Sequence, residues 1–472
     1  MNNPSGNTAS KNAVLLITTI ASFLVPFMTS SITVALPAIG KSYSMNVITL
    51  GWVSTAYMLA SASLLVPFGR IADMYGRRRV FIIGTIVFTA GSTLSAVSTS
   101  GGMLLMSRAV QGVGGAALFA TAIAILIAVF PGEERGRVLG INTASVYLGL
   151  SLGPVLGGII TEKLGWQSIF VICSALSVVV VIATFWKLKG ELVEPKKERF
   201  DLPGSVVYSL ALVLTMYGVS LLPSEKSIWL LVAGIATGAA FFWWETRSEN
   251  PMLDLRMFRQ NRGFTFSNLA ALVNYSGTWA VAFLLSLYLQ YVRGLDPEKA
   301  GLILISSPAV QAIFSPLAGR ISDRVEPRLL ASVGMALTGT GIGLLALINA
   351  STSVIYIIMC LVLLGFGFAL FSSPNTNAVM SSADQRFYGI ASATLATMRQ
   401  MGMMVSMGIV WIVFGLIIGR VEITPEYYPA LVRSVRLIFL ISAVLCFGAI
   451  FFSLARGNIH ESGGRSISGQ AH

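Results

Sequence analysis

The sequence predicts an all-α polytopic membrane protein. Of its 472 residues, 55% are hydrophobic and only 11% are charged, whereas a soluble domain carries roughly 25% charged residues. The apolar residues occur in long runs, and roughly 20 such residues cross a bilayer as a helix. A soluble chain of this length would need far more polar surface. The composition therefore excludes a soluble enzyme, a disordered chain and a secreted disulfide scaffold, and it predicts a chain embedded in a lipid bilayer.

The apolar runs predict fourteen transmembrane helices, here called spans 1 to 14. They are 13–36, 50–69, 80–98, 103–130, 138–160, 168–187, 204–222, 227–244, 265–290, 300–319, 329–349, 353–379, 388–417 and 435–456. The boundary between spans 11 and 12 is the least distinct, because only a few small polar residues around Ser351 separate them.

The positions of Lys and Arg predict the orientation. If the N-terminus is cytoplasmic and the spans alternate, 22 of these residues fall on the cytoplasmic side and eight on the other. This bias fits the positive-inside rule, and a count of thirteen spans would spoil it. We therefore expect both termini in the cytoplasm and the chain in the cytoplasmic (plasma) membrane, a prokaryotic inner membrane. The net charge of +12 then reflects topology and does not indicate nucleic-acid binding.

Two internal echoes predict two related halves. The stretch Gly-Arg-Ile-Ala-Asp begins at Gly69, and Gly-Arg-Ile-Ser-Asp begins at Gly319. The stretch that begins at Gly112 is similar to the one that begins at Gly365. Halves repeated in the same sense form a known transporter architecture, with the substrate site between them near the midplane.

This repeat divides the chain into five parts. They are a cytoplasmic tail (1–12), a six-helix half (13–187), linkers with two inserted transmembrane helices (188–264), a second six-helix half (265–456) and a disordered cytoplasmic tail (457–472).

Four short motifs accompany this pattern. They are Gly69-Arg70-Ile71-Ala72-Asp73-Met74-Tyr75-Gly76-Arg77-Arg78-Arg79 between spans 2 and 3, Arg108-Ala109-Val110-Gln111-Gly112 in span 4, Gly149, Gly153, Pro154, Gly157 and Gly158 in span 5, and Arg399-Gln400-Met401-Gly402 in span 13. Together they resemble the signature motifs of the major facilitator superfamily, and the Gly-Pro motif is typical of its antiporters. Fourteen spans and the Arg-Gln-x-Gly stretch are similar to its drug:proton antiporter branch. The resemblance implies the major facilitator fold and secondary transport.

The resemblance also implies a cytoplasmic latch. Gly69 and Gly76 would let spans 2 and 3 turn sharply. Asp73, with Arg77 and Arg78, would meet the start of the span that contains Arg399 when the site faces outward. Glu133, at the inner end of span 4, belongs to the same predicted latch. For these residues the alternative is a basic topogenic loop with a structural turn.

A glycine stripe in span 5 predicts a close helix contact. Gly149, Gly153 and Gly157 share one face, and small residues let helices approach closely. Pro154 frees a carbonyl and bends a helix. With Gly158, this segment is expected to hinge or seal the interface of the halves, although ordinary helix packing would use the same residues.

Two arginines lie inside spans. Arg108 is about five residues into span 4, roughly 8 Å deep, and Arg399 is about 12 residues into span 13, roughly 18 Å deep. A charge at such depth faces a wet cavity or a partner, so we expect both to face a cavity, with Gln111 one turn from Arg108. Alternatively, Arg108 snorkels to the outer surface.

Other predicted cavity residues carry aromatic, sulfur or amide side chains, which suit varied hydrophobic ligands. They are Met28, Trp52, Tyr57, Asn142, Tyr147, Asn274, Trp279, Gln311 and Asn375. Asn375 follows Pro374, and we expect irregular backbone there to line a cavity.

The sequence departs from the antiporter branch in span 1. Members of that branch carry an Asp where this chain has Met28, and none of the twenty acidic residues lies in the middle of a span. A proton carrier needs a group that titrates, and Arg does not. Asp73, Glu133 or Glu134 remain candidates for proton linkage. Otherwise, transport is uncoupled or an anion supplies the counter-charge.

These observations leave three hypotheses. The first is a proton-linked exporter of small hydrophobic or drug-like molecules that works by alternating access, as a monomer. The second is an uncoupled facilitator or exchanger of an anionic or neutral metabolite. The third is a non-transporting receptor or scaffold. No catalytic, metal or cofactor motif is present in the sequence, so enzyme activity is not expected.

Overall fold

The computed structural model describes residues 11–188, 200–248, 258, 261–322, 324–382 and 388–457. Among these residues every regular element is helical, and fourteen helices are long and apolar enough to cross a bilayer. The predicted all-α polytopic fold with fourteen spans is confirmed. The tail residues 458–472 and most of both central linkers lie outside the described residues.

The helices follow the predicted spans, and most begin earlier than predicted, although some, such as Pro327–Leu345, end earlier too. The first eight are α1 (Lys11–Tyr43), α2 (Val47–Tyr75), α3 (Arg77–Ala96), α4 (Gly101–Val129), α5 (Gly132–Leu164), α6 (Gln167–Lys187), α7 (Leu202–Ser220) and α8 (Glu225–Glu245). The remaining six are α9 (Arg262–Val292), α10 (Pro297–Ser322), α11 (Pro327–Leu345), α12 (Val354–Ser381), α13 (Tyr388–Ile417) and α14 (Tyr428–Ala455). α9 is interrupted at Trp279 and ends in a π-helical turn, Tyr288–Val292.

Local sequence explains where the helices begin and turn. Asn46 caps α2, because its side chain accepts hydrogen bonds from the backbone N–H groups of Ile48 and Thr49. Gly76 separates α2 from α3 with a φ of 106°, a conformation that favours glycine. Such short connections place consecutive helices side by side in opposite directions.

Equivalent glycines pack the same helix pair in each half. A Cβ at Gly114 of α4 would lie 2.3 Å from the backbone nitrogen of Phe88 in α3. A Cβ at Gly367 of α12 would lie 2.6 Å from the nitrogen of Thr338 in α11. Small residues bring the two backbones together at both crossings. The repeat seen in the sequence therefore corresponds to a repeated contact.

The inserted helix α7 lies along the seam between the halves. At one end the Tyr208 hydroxyl donates to the Ala62 carbonyl of α2 at 3.3 Å. At the other end Arg420, which follows α13, donates to the Ser220 carbonyl at 2.9 Å. The paired helix α8 faces outward, with Trp229 76% exposed. α7 thus contacts both halves, while α8 presents an apolar surface to lipid.

Because fourteen helices cross in alternation, α1 begins and α14 ends at the same face of the bundle. We call it the terminal face and the opposite one the distal face. The sequence predicts that the terminal face is cytoplasmic.

Candidate functional site

Hydrogen bonds join the two halves near the distal face. The backbone N–H of Val47, at the start of α2, donates to the Val421 carbonyl after α13 at 3.1 Å. The Gln290 amide of α9 donates to the Val34 carbonyl of α1 at 2.8 Å. These bonds link residues that are far apart in sequence and close the bundle at this face.

An aromatic stack closes the same side. The rings of Trp52 in α2 and Trp411 in α13 are stacked with centroids 4.9 Å apart. Tyr217 of α7 meets the Trp52 ring edge-on at 6.1 Å. Trp52 was predicted to line a cavity, but here it lies in a closed contact between the halves.

Helices α5 and α10 touch through glycine. A Cβ at Gly158 would lie 2.3 Å from the Pro297 carbonyl oxygen, and one at Gly301 would lie 2.1 Å from the Pro154 carbonyl oxygen. At such distances only a hydrogen atom fits between the backbones. The Pro154–Gly158 turn, predicted to hinge or seal, lies against the second half.

The glycine stripe of α5 faces a different neighbour. The Ser30 hydroxyl of α1 donates to the Gly149 carbonyl at 3.2 Å, and the Ser31 hydroxyl donates to the Gly153 carbonyl at 3.0 Å. A Cβ at Gly157 would lie 2.6 Å from the Ser31 Cα atom. This corrects the prediction for the stripe, because it packs within the first half rather than between the halves.

The predicted latch residues lie together at the terminal face. The Asp73 carboxylate accepts hydrogen bonds from Arg77 at 2.8 and 3.0 Å, and Arg77 also donates to the Ala124 carbonyl of α4 at 2.9 Å. Arg78 donates to the Leu188 carbonyl after α6. In this conformation Asp73 is engaged by its own half.

Two other latch predictions have different outcomes. Gly69 lies inside α2 with open space around its Cβ position, so the predicted sharp turn there is wrong and the turn is made by Gly76 alone. The side chain of Glu133 lies outside the described residues. Its neighbour Glu134 forms an exposed ion pair with Lys11 at 2.7 Å.

Arg108 is fully enclosed in the first half. Its Nε donates to the Val53 carbonyl of α2 at 3.0 Å, and another guanidinium nitrogen donates to Gln111. Its Cζ lies 4.7 Å from the Tyr57 ring centroid and 5.8 Å from that of Phe170 in α6. The side chain is 0% exposed.

The same cluster includes α3, because the Gln111 amide donates to the Ser92 hydroxyl at 2.7 Å. The structure therefore places Gln111 beside Arg108, one turn away, and adds Tyr57 to them, and all three side chains are buried within the first half. Neither cavity exposure nor snorkelling describes Arg108 here, because it is enclosed and two of its nitrogens bond to groups of the first half, although its Nη2 has no partner among the described residues.

Asn142 lines a small pocket that is partly open at the surface of the bundle. Its amide donates to the Ser22 hydroxyl at 2.8 Å. The adjacent space, about 30 Å³, lies between α1, α4 and α5. That volume holds one or two water molecules, which is far too small for a drug-sized ligand.

Arg399 lies deep in α13, against other helices of the second half. It is half-buried, and its Nη2 donates to the Thr376 hydroxyl of α12 at 2.6 Å. Its Cζ lies 5.7 Å from the ring centroid of Tyr275 in α9. Arg399, Thr376 and Tyr275 thus form one cluster, and all three belong to the second half. Tyr147 of α5, in the first half, is half-buried.

The remaining predicted cavity residues are dispersed. Met28 and Asn274 are fully buried, Gln311 is buried, and Trp279 is half-buried at the interruption of α9. Asn375 lies in a continuous α12, where its amide donates to the Ser267 carbonyl at 3.1 Å. The expectation of irregular backbone after Pro374 is therefore wrong, and Asn375 bonds within its own half.

Arg456 is a residue whose role the sequence did not indicate. It follows α14, is 3% exposed, and donates to the Pro327 carbonyl at 2.7 Å and to the Asn375 side-chain oxygen at 3.2 Å. Burial lowers the pKa of Arg456 to about 10, so it remains charged at neutral pH. From the sequence, an arginine directly after an apolar helix looks like a charge that only sets the topology, and nothing local indicates its burial.

The burial of Glu245 is a second feature that the sequence does not predict. This residue is the last of α8 and is only 4% exposed. Its position at a helix end was evident from the sequence, but its burial depends on packing against other helices.

Comparison with known proteins decides the family. The family model described as Major Facilitator Superfamily matches residues 18–407 and again 267–466. The chain belongs to the major facilitator superfamily. It is therefore a membrane transporter and not an enzyme.

Members of this family with described functions are similar over most of their length. The riboflavin transporter RibZ of Clostridioides difficile (strain 630) is 31% identical over 82% of this chain and 85% of its own. The multidrug resistance protein Stp of Mycobacterium tuberculosis (strain CDC 1551 / Oshkosh) is 32% identical over 83% and 74%. The cephamycin export protein CmcT of Amycolatopsis lactamdurans is 32% identical over 84% of each chain.

Solved structures support the fold alone. A bacterial homolog of the human lysosomal transporter Spinster, in an inward-facing and unoccupied conformation, has a TM-score of 0.71 and 17% identity, with 96% of this chain and 98% of that chain covered. A peptide transporter POT in complex with alafosfalin has a TM-score of 0.69 and 14% identity. This major facilitator chain is thus an integral membrane protein with the fold that its motifs predicted.

Proposed function

We propose that this transporter exports small hydrophobic or drug-like molecules by alternating access. We place it in the cytoplasmic membrane as a monomer, with both termini in the cytoplasm. The observation that carries the proposal is the set of contacts between the halves at the distal face. Their position is what a transporter closed on the outside requires.

The latch residues support the same mechanism. Asp73 is bonded to Arg77 of its own half, but 44% of its side chain is exposed. Its carboxylate can therefore form a second set of contacts when the terminal face closes. A contact formed in one state only can bias an equilibrium between two states. We propose that Asp73 and Arg78 act in this way, with Gly158 and Pro154 sealing the opposite side.

The described functions of relatives support export. Stp is named for multidrug resistance and CmcT for cephamycin export. RibZ is named as a riboflavin transporter, so the substrate of this chain requires a direct measurement.

Proton linkage is part of the proposal, and it has few candidate groups. In the described spans every acidic residue lies within three residues of a helix end. Asp73, Glu133 and Glu134, at the terminal face, are therefore the candidates. In this arrangement protonation would control closure and would not neutralise the substrate directly.

The same observation favours a second candidate function. Arg399 lies deep in the bundle without an acidic neighbour in the described spans, which suits an uncoupled facilitator or exchanger of an anionic or neutral metabolite. The two functions differ in their response to a pH gradient.

Dye flux from purified protein in liposomes tests both functions. Cationic, neutral and anionic dyes are followed with and without an imposed pH gradient, and empty liposomes serve as the control. We expect flux above the control that increases with the gradient.

Dye flux that does not change with the imposed pH gradient would favour the uncoupled facilitator over the proton-linked exporter. Absence of flux for every dye would overturn transport of such compounds and favour the receptor or scaffold.

A further inference from the structure

Arg399 has binding capacity that the described protein does not use. Its Nη2 is bonded to Thr376, but its Nε is buried and has no hydrogen-bond partner among the described residues. The residue lies eleven positions after Tyr388, the first residue of α13, or about 17 Å along the helix. At that depth an unused guanidinium donor is costly unless a ligand or water meets it.

The charge around Arg399 is not neutralised within the described spans. Acidic residues there lie near the helix ends, and the guanidinium remains charged in proteins. A negatively charged group that reaches Arg399 would therefore bind a cation that no carboxylate of the described spans already neutralises.

Accessibility distinguishes Arg399 from Arg108. Arg108 is 0% exposed and held by α2, α4 and α6, so a ligand cannot reach it without opening the half. Arg399 is half-buried and lies against Thr376 and Tyr275. A molecule that enters the bundle beside these residues can therefore contact its guanidinium.

The surrounding side chains define the chemistry of that molecule. The ring of Tyr275 and the Thr376 hydroxyl accompany the guanidinium. Aromatic rings stack on tyrosine, and guanidinium binds carboxylate or sulfonate oxygens with charge-assisted hydrogen bonds. This combination suits a planar aromatic compound that carries an acidic group.

We propose that Arg399, Thr376 and Tyr275 form the recognition site for the anionic group of the substrate, and that the transported class is amphipathic aromatic acids. The proposal rests on the transport function above and narrows its substrate class.

Three probes with one ring system test it. They are 2-naphthalenesulfonate, the neutral 2-naphthalenesulfonamide and the cationic 2-naphthyltrimethylammonium. Equilibrium binding of all three to the purified full chain is measured, as is the flux of the two permanently charged probes from liposomes. We expect the wild type to bind and transport the sulfonate in preference to the ammonium, at least about tenfold, the size of one hydrogen bond to a charged group.

Variants connect that preference to Arg399. Arg399→Gln should weaken sulfonate binding at least about tenfold and leave sulfonamide binding within about twofold. Arg399→Lys should be intermediate, because it keeps the charge and loses the planar donor array. Arg436→Gln is the matched control, since Arg436 is in the same half and donates to the Ala346 carbonyl at 3.1 Å.

Three outcomes would overturn the site. They are tighter binding of the ammonium, unchanged sulfonate binding in Arg399→Gln, and competition by inorganic sulfate as strong as by the sulfonate, which would indicate a site for inorganic anions. Flux of the ammonium without preference for the sulfonate would refute the substrate class and leave transport standing. Absence of binding and flux for all probes in the wild type would refute both.

Discussion

Arg108 is held at one point by several helices of the first half. Its guanidinium bonds the Val53 carbonyl and Gln111, and Tyr57 and Phe170 cover its faces. These contacts connect α2, α4 and α6 through one buried side chain, so we expect Arg108 to stabilise the first half. Its removal leaves polar partners unsatisfied in a dry interior.

Arg108→Leu should therefore destabilise the protein by about 1–3 kcal/mol. The measurement is the midpoint of thermal unfolding in detergent. Arg433→Leu is the control, because Arg433 is exposed on α14. An unchanged midpoint together with lost transport would instead place Arg108 in the transport pathway.

Asp73 should matter for transport more than for stability. Its ion pair with Arg77 is partly exposed, with 44% of the Asp73 side chain accessible, and such pairs contribute about 0–1 kcal/mol. Asp73→Asn should leave the unfolding midpoint nearly unchanged and lower liposome flux at least tenfold, because the latch loses its charge.

The control for this variant is Glu225→Gln, which removes another exposed carboxylate, at the start of the inserted helix α8. Wild-type flux in Asp73→Asn would argue against the latch. Equal losses in both variants would indicate a general effect of surface charge.

At the scale of helices, the contact between α5 and α10 has no room for a side chain. A Cβ at Gly158 would lie 2.3 Å from the Pro297 carbonyl oxygen, and overpacking of this kind costs about 1–3 kcal/mol. Such a cost shifts an equilibrium about 5- to 150-fold. Gly158→Ala should therefore open the distal closure and reduce flux within that range.

Gly140→Ala provides the matched control. Gly140 lies on the same helix with nothing within 4 Å of its Cβ position. Its variant should transport normally, and equal rates in the two variants would show that the close approach of α5 and α10 is not needed.

Some helix features were accessible from sequence and others were not. Gly76 takes a positive φ between two helices, as a glycine followed by a basic cluster indicated. Pro154 and Pro374, however, lie inside continuous helices. A proline removes one hydrogen bond, and neighbouring helices and hydroxyl groups can compensate for that loss.

At the scale of the whole molecule, the halves should separate and rejoin at the distal face during each cycle. The Val47 N–H donates to the Val421 carbonyl across this interface. The native cysteines Cys173, Cys360 and Cys446 are buried, so the background reaction is small. Val47→Cys combined with Val421→Cys and a short thiol cross-linker should stop flux, and cleavage of the linker should restore it.

A pair within one half controls this experiment. The hydroxyls of Thr93 and Ser174 lie 2.7 Å apart on α3 and α6. Cross-linking Thr93→Cys with Ser174→Cys should leave flux near the wild-type rate. Continued flux through the Val47–Val421 link would refute opening at the distal face.

The position of α7 adds a constraint on this motion. It contacts α2 through Tyr208 and the end of α13 through Ser220. Movement of one half relative to the other would change these contacts. We therefore expect the inserted pair to take part in the conformational change.

The sequence by itself determined the class of the protein, its fourteen helices and its internal repeat. These follow from local composition, because a bilayer requires about 20 apolar residues per crossing and each crossing is one continuous stretch of the sequence. The motifs were local as well, and they identified the family.

The tertiary structure decided which of two intramembrane arginines is enclosed and which is accessible. Arg108 and Arg399 have the same chemistry, and the difference lies in their neighbours: Tyr57 and Phe170 help to enclose the first, while the second lies beside Tyr275 and Thr376 and stays half-buried. Those neighbours come from other helices, and only packing brings them together.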